Sequence, residues 1–163
     1  MISPEMAIVE AAKLRFKMTV IDLFQSIEGR VWSLRQTVMD LVTLKESDRE
    51  GLFPVGRLDR DTLGVLLLTN DGELAHRLMH PRYEVEKLYI ARTREAVKPH
   101  QIDALKRGIE LDDGLAKADR VAYVDPNNHH EIGLQLHQGR NRQIRRMLEA
   151  LGHEVVHLER VNY

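Results

Sequence analysis

The sequence predicts an α+β domain, because separate stretches carry the hydrophobic periods that are typical of strands and of helices. The aliphatic run 65–69 lies between Gly64 and Asn70-Asp71-Gly72, which indicates a short buried strand. From Val85 onward the side chains alternate between two environments, as along a strand with two different faces. Residues 141–151 repeat apolar side chains at spacings of three and four, which is typical of an amphipathic helix.

Two shorter helices are predicted on either side of the alternating strand. The first is capped by Asn70 or Asp71 and ends just after His80, because Pro81 cannot continue it. The second starts at Pro99 and ends at Gly108. Each places apolar side chains on one face: Leu74, Leu78 and Met79 in the first, and Ile102 and Leu105 in the second.

The last part of the chain predicts a hairpin, a helix and a final strand. Residues 121–124 and 132–136 resemble strands, and the turn-rich segment 125–130 between them makes them a hairpin. The amphipathic helix 141–151 follows, and residues 154–161 are typical of a strand.

Composition bounds the class of protein. A chain of 163 residues, 43% hydrophobic and 30% charged, is long enough for one core, so we expect a single domain over residues 1–163. The sequence has no apolar stretch of membrane-spanning length, no secretory signal and no Cys, so we expect a cytoplasmic protein without a membrane partner. A formal net charge of -1 argues against holding nucleic acid by bulk electrostatics.

The loop before the buried strand contains the most distinctive chemistry. Asp59 lies between Arg57 and Arg60, in the motif Gly56-Arg57-Leu58-Asp59-Arg60-Asp61-Thr62-Leu63-Gly64. The two guanidiniums favour the ionised carboxylate, which suits a nucleophile or a general base. On these residues alone, a surface cluster of ion pairs is the competing interpretation.

A dense group of arginines begins the C-terminal helix. Cations in the first turn of a helix oppose its macrodipole, so the group needs a compensating anion. The candidate anions are Asp59 and a phosphate group, which free backbone donors at a helix start also bind. A solvated basic face is the alternative. The group consists of Arg140, Arg142, Arg145 and Arg146.

Three separated blocks of sequence resemble the RsuA-type ribosomal RNA pseudouridine synthases. The first begins Phe53-Pro54-Val55-Gly56-Arg57-Leu58-Asp59 and continues through Thr69-Asn70-Asp71-Gly72 to Leu78. The second is Glu86-Lys87-Leu88-Tyr89, and the third is Gly139-Arg140-Asn141-Arg142-Gln143-Ile144-Arg145-Arg146-Met147. Their order and spacing fit the family over residues 49–161, which is far more specific than a single motif.

The resemblance implies a mixed, mostly antiparallel sheet with flanking helices and a central cleft. It implies an isomerase that converts a uridine of ribosomal RNA, flipped into the cleft, to pseudouridine without a cofactor. Asp59 is then the nucleophile or base at the sugar, Tyr89 lies against the base, and Arg145 pairs with Asp59. The residues expected to contact RNA are Arg57, Arg60, Lys87, Arg140, Arg142 and Arg146. We expect RNA as the partner of a monomer.

The first 48 residues diverge from the family pattern. The family's Lys-Pro-x-Gly segment is missing, and residues 31–36 separate Glu28-Gly29-Arg30 from Thr37-Val38-Met39-Asp40-Leu41. Within this region, residues 19–24 predict a strand, and residues 37–42 fit a helical turn or a strand. No separate N-terminal RNA-binding module is expected, and the C-terminal end comes early. A catalytically inactive or truncated RNA-binding domain of the same fold is therefore the alternative hypothesis.

The eight histidines do not predict a metal site. His76 and His80 share a helix face, but no nearby acid completes a known zinc pattern. His129 and His130 lie in a turn without a partner at a suitable spacing. We therefore expect no metal.

Overall fold

The structure is a computed structural model, and it describes residues 18–22, 38–41, 45 and 49–163. The chain divides into two compact units by its internal contacts. The first holds the described residues up to Leu58 together with Leu63–His80, and the second holds Asp59–Thr62 together with Pro81–Tyr163. The predicted Asp59, Tyr89 and Arg145 all belong to the second unit.

The first unit is built on one buried strand. Its elements are β1 (Met18–Asp22), a 3-10 turn (Val38–Leu41), β2 (Phe53–Pro54), β3 (Leu63–Thr69) and α1 (Gly72–Met79). Strand β3 pairs antiparallel with β1 and with β2. Leu66, Leu67 and Leu68 are buried, as the aliphatic run predicts. Positions 23, 24, 37 and 42 of the predicted N-terminal elements lie outside the described residues.

Asp71 decides where α1 begins. Its carboxylate accepts hydrogen bonds from the backbone amides of Glu73 and Leu74 at 2.9 and 3.0 Å. Of the two predicted caps, Asp71 is therefore the N-cap, because it satisfies two amides that have no partner inside the helix. The helix ends at Met79, and Pro81 follows His80 as predicted.

The second unit is a four-stranded antiparallel sheet with two helices and a small hairpin. Its elements are β4 (Lys87–Thr93), α2 (Pro99–Arg107), β5 (Ile109–Leu111), β6 (Gly114–Ala116), β7 (Arg120–Asp125), β8 (Asn128–Leu136), α3 (Gln143–Ala150) and β9 (Val155–Asn162). The strand order is β9-β4-β8-β7, and β5 pairs separately with β6. The predicted α+β class is confirmed.

The core of the second unit lies between the sheet and the helices α2 and α3. Fully buried side chains come from the central strands and from α3, among them Ile132, Leu134, Leu136, Met147 and Leu148. Burying such side chains supplies most of the stabilisation, at about 1.5–3 kcal/mol each. Among the described residues, no helix is both long and apolar enough to cross a membrane.

Two features of this unit differ from the sequence prediction. Helix α3 begins at Gln143 rather than Asn141, because Arg142 is its N-cap and adopts the left-handed conformation with φ 46° and ψ 32°. The hairpin of β5 and β6 was not predicted, because strands of three residues are too short to show a period of two.

Candidate catalytic and RNA-binding site

Asp59 lies in a tight turn, as the sequence predicts for a loop that leads into a strand. The backbone amide of Thr62 donates to the carbonyl of Asp59 at 3.0 Å and so closes the four-residue turn 59–62. Asp59 is half-buried, Asp61 is exposed, and Thr62 is buried. The turn therefore displays two carboxylates two positions apart on a short, hydrogen-bonded piece of backbone.

Arg145 contacts this turn through Asp61. Its Nη2 donates to the backbone carbonyl of Asp61 at 2.5 Å, and its Nη1 donates to the carbonyl of Val155 at 3.0 Å. Its Nε lies 3.2 Å from Asp61 Oδ2 but lacks hydrogen-bond geometry, so this contact is an ion pair only. The residue is 6% exposed. Since an arginine stays protonated, a buried guanidinium needs such acceptors.

The predicted ion pair between Arg145 and Asp59 is therefore corrected. In the described part of the chain, the carboxylate within ion-pair distance of Arg145 is that of Asp61. The physical reason is the turn, because its third residue offers Arg145 both a carboxylate and a carbonyl. Asp59, at the first position, uses its carbonyl to close the turn instead.

Arg142 makes a two-pronged ion pair with the same Asp61. Its Nη1 and Nη2 each lie 3.0 Å from one carboxylate oxygen, the planar arrangement that a guanidinium and a carboxylate prefer. Partial burial raises the pKa of the Asp61 carboxyl, but the hydrogen bonds from Arg142 and the charge of Arg145 outweigh it and hold this pKa below its usual value. The Asp61 carboxylate in turn raises the pKa of Arg142, and the charge of Asp59 adds to this.

Arg140 and Arg146 are paired with the turn between β5 and β6. Arg146 lies 2.6 Å from a carboxylate oxygen of Asp112 and 2.9 Å from one of Asp113. Arg140 donates to the carbonyls of Asp113 and Gly114 at 3.0 and 2.8 Å. Its guanidinium is also 3.4 Å from the Asp113 carboxylate.

These pairs correct the sequence prediction about the anion at the helix start. In the described residues the carboxylates at the helix start are those of Asp61, Asp112 and Asp113 in place of the expected Asp59, while the contact with an RNA phosphate stays a prediction. A signal was present in the sequence, because acids concentrate at residues 110–113 and arginines at 140–146. It did not identify partners, since the two segments meet only through the tertiary fold.

Lys87 and Tyr89 share one face of β4, as predicted. Tyr89 is half-buried, packs against the core and lies opposite Arg160 of β9. The Nζ of Lys87 donates to the Val85 carbonyl at 2.9 Å and lies 5.1 Å from the ring centre of Tyr163. Burial and the charge of Arg160 lower the pKa of Lys87.

Arg160 and Tyr163 were not singled out from the sequence. The guanidinium carbon of Arg160 lies 4.8 Å from the ring centre of Tyr163, and Arg160 is 3% exposed. Burial raises the pKa of the Tyr163 hydroxyl. Together with Lys87 and Tyr89, these residues form a group of two cations and two tyrosines.

The predicted site residues therefore fall into two groups. The turn 59–62 gathers Arg142 and Arg145, and β4 places Lys87 beside Tyr89. Arg57 and Arg60 are exposed on the loop before β3. The rings of His76 and His80 are tilted by 50° to each other with their centres 4.9 Å apart. The described residues contain no cluster of three or more His, Asp or Glu that could hold a metal ion.

Fold and site together define an α+β protein in which a turn with two carboxylates is joined to the arginine-rich start of a helix. The chain matches the model of the RNA pseudouridylate synthase family over residues 18–150. The protein belongs to this family.

Curated relatives and solved structures agree with this assignment. The chain is 48% identical over 115 residues to ribosomal large subunit pseudouridine synthase B of Bacillus subtilis, covering 69% of this chain and 47% of that protein. An uncharacterised RNA pseudouridine synthase of Aquifex aeolicus is 41% identical over 134 residues, or 82% of this chain and 53% of the relative. A crystal structure of a pseudouridylate synthase superposes with a TM-score of 0.64 at 32% identity, covering 72% of this chain and 50% of that one. The chain spans about half the length of these relatives.

Proposed function

We propose that this chain is one catalytic domain of a pseudouridine synthase that modifies a uridine of ribosomal RNA. Family membership over residues 18–150 supports a single domain, because the match includes parts of both compact units. Relatives named for the large ribosomal subunit make large-subunit RNA the first substrate to test.

Asp59 is the proposed nucleophile or base at the sugar. The bond from N1 of uracil to C1′ of the ribose breaks, the base turns over, and C5 of the base joins the same C1′. The proton at C5 then leaves and a proton is taken up at N1, so the reaction is an isomerisation without an added reactant. A carboxylate suits both of the roles considered, attack at the sugar and removal of a sugar proton. Tyr89 lies against the flipped base in this proposal.

The observation that carries the proposal is the turn 59–62 held by Arg142 and Arg145. A reacting carboxylate needs a fixed position, because an error of about 1 Å costs about 100-fold in rate. The turn is closed by its own hydrogen bond and is tied to α3 and β9 through the buried Arg145. This arrangement supports Asp59 as the reacting carboxylate, because the turn that carries it is held rigidly.

RNA contacts are assigned to the exposed Arg57 and Arg60, to Lys87, and to Arg140, Arg142 and Arg146. The last three are paired with aspartates in the described structure, so a phosphate must compete with those partners. Both the catalytic proposal and the alternative, an inactive RNA-binding domain, require this competition, so the pairing does not distinguish the two.

The test compares the wild type with Asp59→Asn on unmodified large- and small-subunit ribosomal RNA transcripts, with pseudouridine quantified in the digested product. We expect product from the wild type and none from Asp59→Asn, although both bind RNA. Glu154→Gln is the matched control, because it makes the same change from carboxylate to amide in an exposed pair with Arg94. Product from Asp59→Asn at the wild-type rate would refute the role of Asp59. RNA binding without product from the wild type would favour the alternative.

A further inference from the structure

Asp61 gathers two arginines from the start of α3 onto one carboxylate. Arg142 lies 3.0 Å from each oxygen, and Arg145 lies 3.2 Å from Oδ2. The backbone carbonyl of Asp61 accepts a further hydrogen bond from Arg145 at 2.5 Å. A single residue thus provides the acceptors for most of the contacts that join α3 to the turn 59–62.

Arg145 depends on these acceptors because it is buried. Its side chain is 8% exposed, whereas that of Asp61 is 46% exposed. Its guanidinium cannot lose its proton, so without the Asp61 carboxylate the acceptors left to it among the described residues are the carbonyls of Asp61 and Val155. Two carbonyls allow the group to shift, whereas the added carboxylate fixes its orientation.

Arg142 also depends on Asp61, for a different reason. It is the N-cap of α3 and has the left-handed backbone conformation, with φ 46°, which is unfavourable for a residue other than glycine. Its side chain makes no capping hydrogen bond to the helix. Its two-pronged contact with Asp61 offsets part of that cost and sets where the helix begins.

We propose that Asp61 is a positioning residue, which holds Arg142 and Arg145 against the turn and so fixes Asp59 two residues before it. The inference rests on the proposed function, since positioning matters only if Asp59 reacts. Asp61 does not react itself, because its carboxylate oxygens are already bound to two guanidiniums. The two aspartates of the turn thus have different roles: Asp59 contacts the substrate, and Asp61 binds the arginines that fix the turn.

The first measurement does not need activity. The Nε–H signal of Arg145 in a nitrogen-15 NMR spectrum reports the position and protection of its guanidinium. We expect Asp61→Asn to shift this signal and speed its exchange with water, and Glu154→Gln to leave it unchanged. The same Arg145 signal in Asp61→Asn and wild type would overturn the proposal, even if no RNA substrate reacts.

The second measurement separates positioning from folding. We expect Asp61→Asn to lower kcat by about 10- to 100-fold without raising KM, because orientation is lost while the RNA contacts remain and Arg142 is released from its carboxylate. Asp61→Glu restores the charge and should recover part of kcat. The melting temperature of each variant controls for unfolding. An unchanged kcat in Asp61→Asn would overturn the positioning role. The role would also be overturned if the kcat of Asp61→Asn and Asp61→Glu fell only in proportion to their melting temperatures. Absence of product from the wild type would instead count against the proposed function.

Discussion

Arg145 donates a hydrogen bond of 2.5 Å to the backbone carbonyl of Asp61, although 84 positions separate the two residues in the chain. This contact ties the start of α3 to the turn that displays Asp59. A lysine cannot replace the arginine here, because its single ammonium group does not reach two carbonyls and a carboxylate in one planar arrangement.

Arg145→Lys should therefore reduce both stability and turnover. We expect the free energy of unfolding to fall by about 1–3 kcal/mol, since buried acceptors lose their donors. Chemical denaturation measures this, and pseudouridine formation measures turnover. Arg94→Lys is the control, because Arg94 makes an exposed pair with Glu154 and its change should leave stability unaltered. If Arg145→Lys and Arg94→Lys lowered the free energy of unfolding equally, the argument that burial makes Arg145 irreplaceable would be contradicted.

Asp113→Asn should strengthen RNA binding. Asp113 lies 3.4 Å from Arg140 and 2.9 Å from Arg146, so removing its charge weakens the hold on both cations, while Arg146 keeps Asp112 at 2.6 Å. We expect a higher affinity at low salt and a dependence on salt that is steeper by about one phosphate contact. Salt titrations of RNA binding measure both. Asp103→Asn, on the exposed side of α2, makes the same change in net charge. If Asp103→Asn raises the RNA affinity as much as Asp113→Asn does, the increase comes from net charge and not from the arginines at the start of α3.

The ion pairs of Asp61 should appear in the acid stability of the protein. Because the pKa of the Asp61 carboxyl in the folded state lies below its ordinary value in the unfolded chain, the ionised group stabilises the fold above that ordinary value. The contribution is lost as the pH falls through the lowered pKa. Since the side chain is 46% exposed, we expect only about 0.5–1 kcal/mol. The difference in unfolding free energy between wild type and Asp61→Asn should be constant near neutral pH and shrink in acid. A difference that grows in acid would contradict the direction of the shift.

Gly108→Ala should destabilise the connection between α2 and β5. Gly108 has φ +114°, a conformation that side chains disfavour, and an added Cβ would lie 2.8 Å from Leu115 Cδ1. Leu115 is half-exposed and can move, so the backbone conformation sets the cost, about 1–2 kcal/mol. Gly72→Ala is the matched control, because no atom lies within 4 Å of an added Cβ there. We expect Gly108→Ala to lower the melting temperature measured by thermal unfolding and Gly72→Ala not to lower it. An equal fall in the melting temperature of the two variants would refute the argument.

Sequence patterns alone predicted the α+β class and most of the helices and strands, but not the hairpin of β5 and β6. The aliphatic run before Asn70-Asp71-Gly72 predicted β3, the alternation from Val85 predicted β4, and the apolar repeats predicted the helices. These patterns are predictive because an element that buries one face carries apolar residues at a regular spacing in the sequence. The three motif blocks also identified the family, which the family model confirms. The assignment of Asp59, Tyr89 and Arg145 to catalysis stays a prediction.

The partner of each charged side chain at this site depends on the tertiary fold. The motif contains Asp59 and Asp61 two positions apart, and nothing local distinguishes their partners. The turn hydrogen bond, the left-handed Arg142 and the hairpin of β5 and β6 together direct Arg145 and Arg142 to Asp61, and Arg140 and Arg146 to Asp113. Ion pairs between distant segments leave no period in the sequence, because they depend on the direction of each side chain after the backbone has folded.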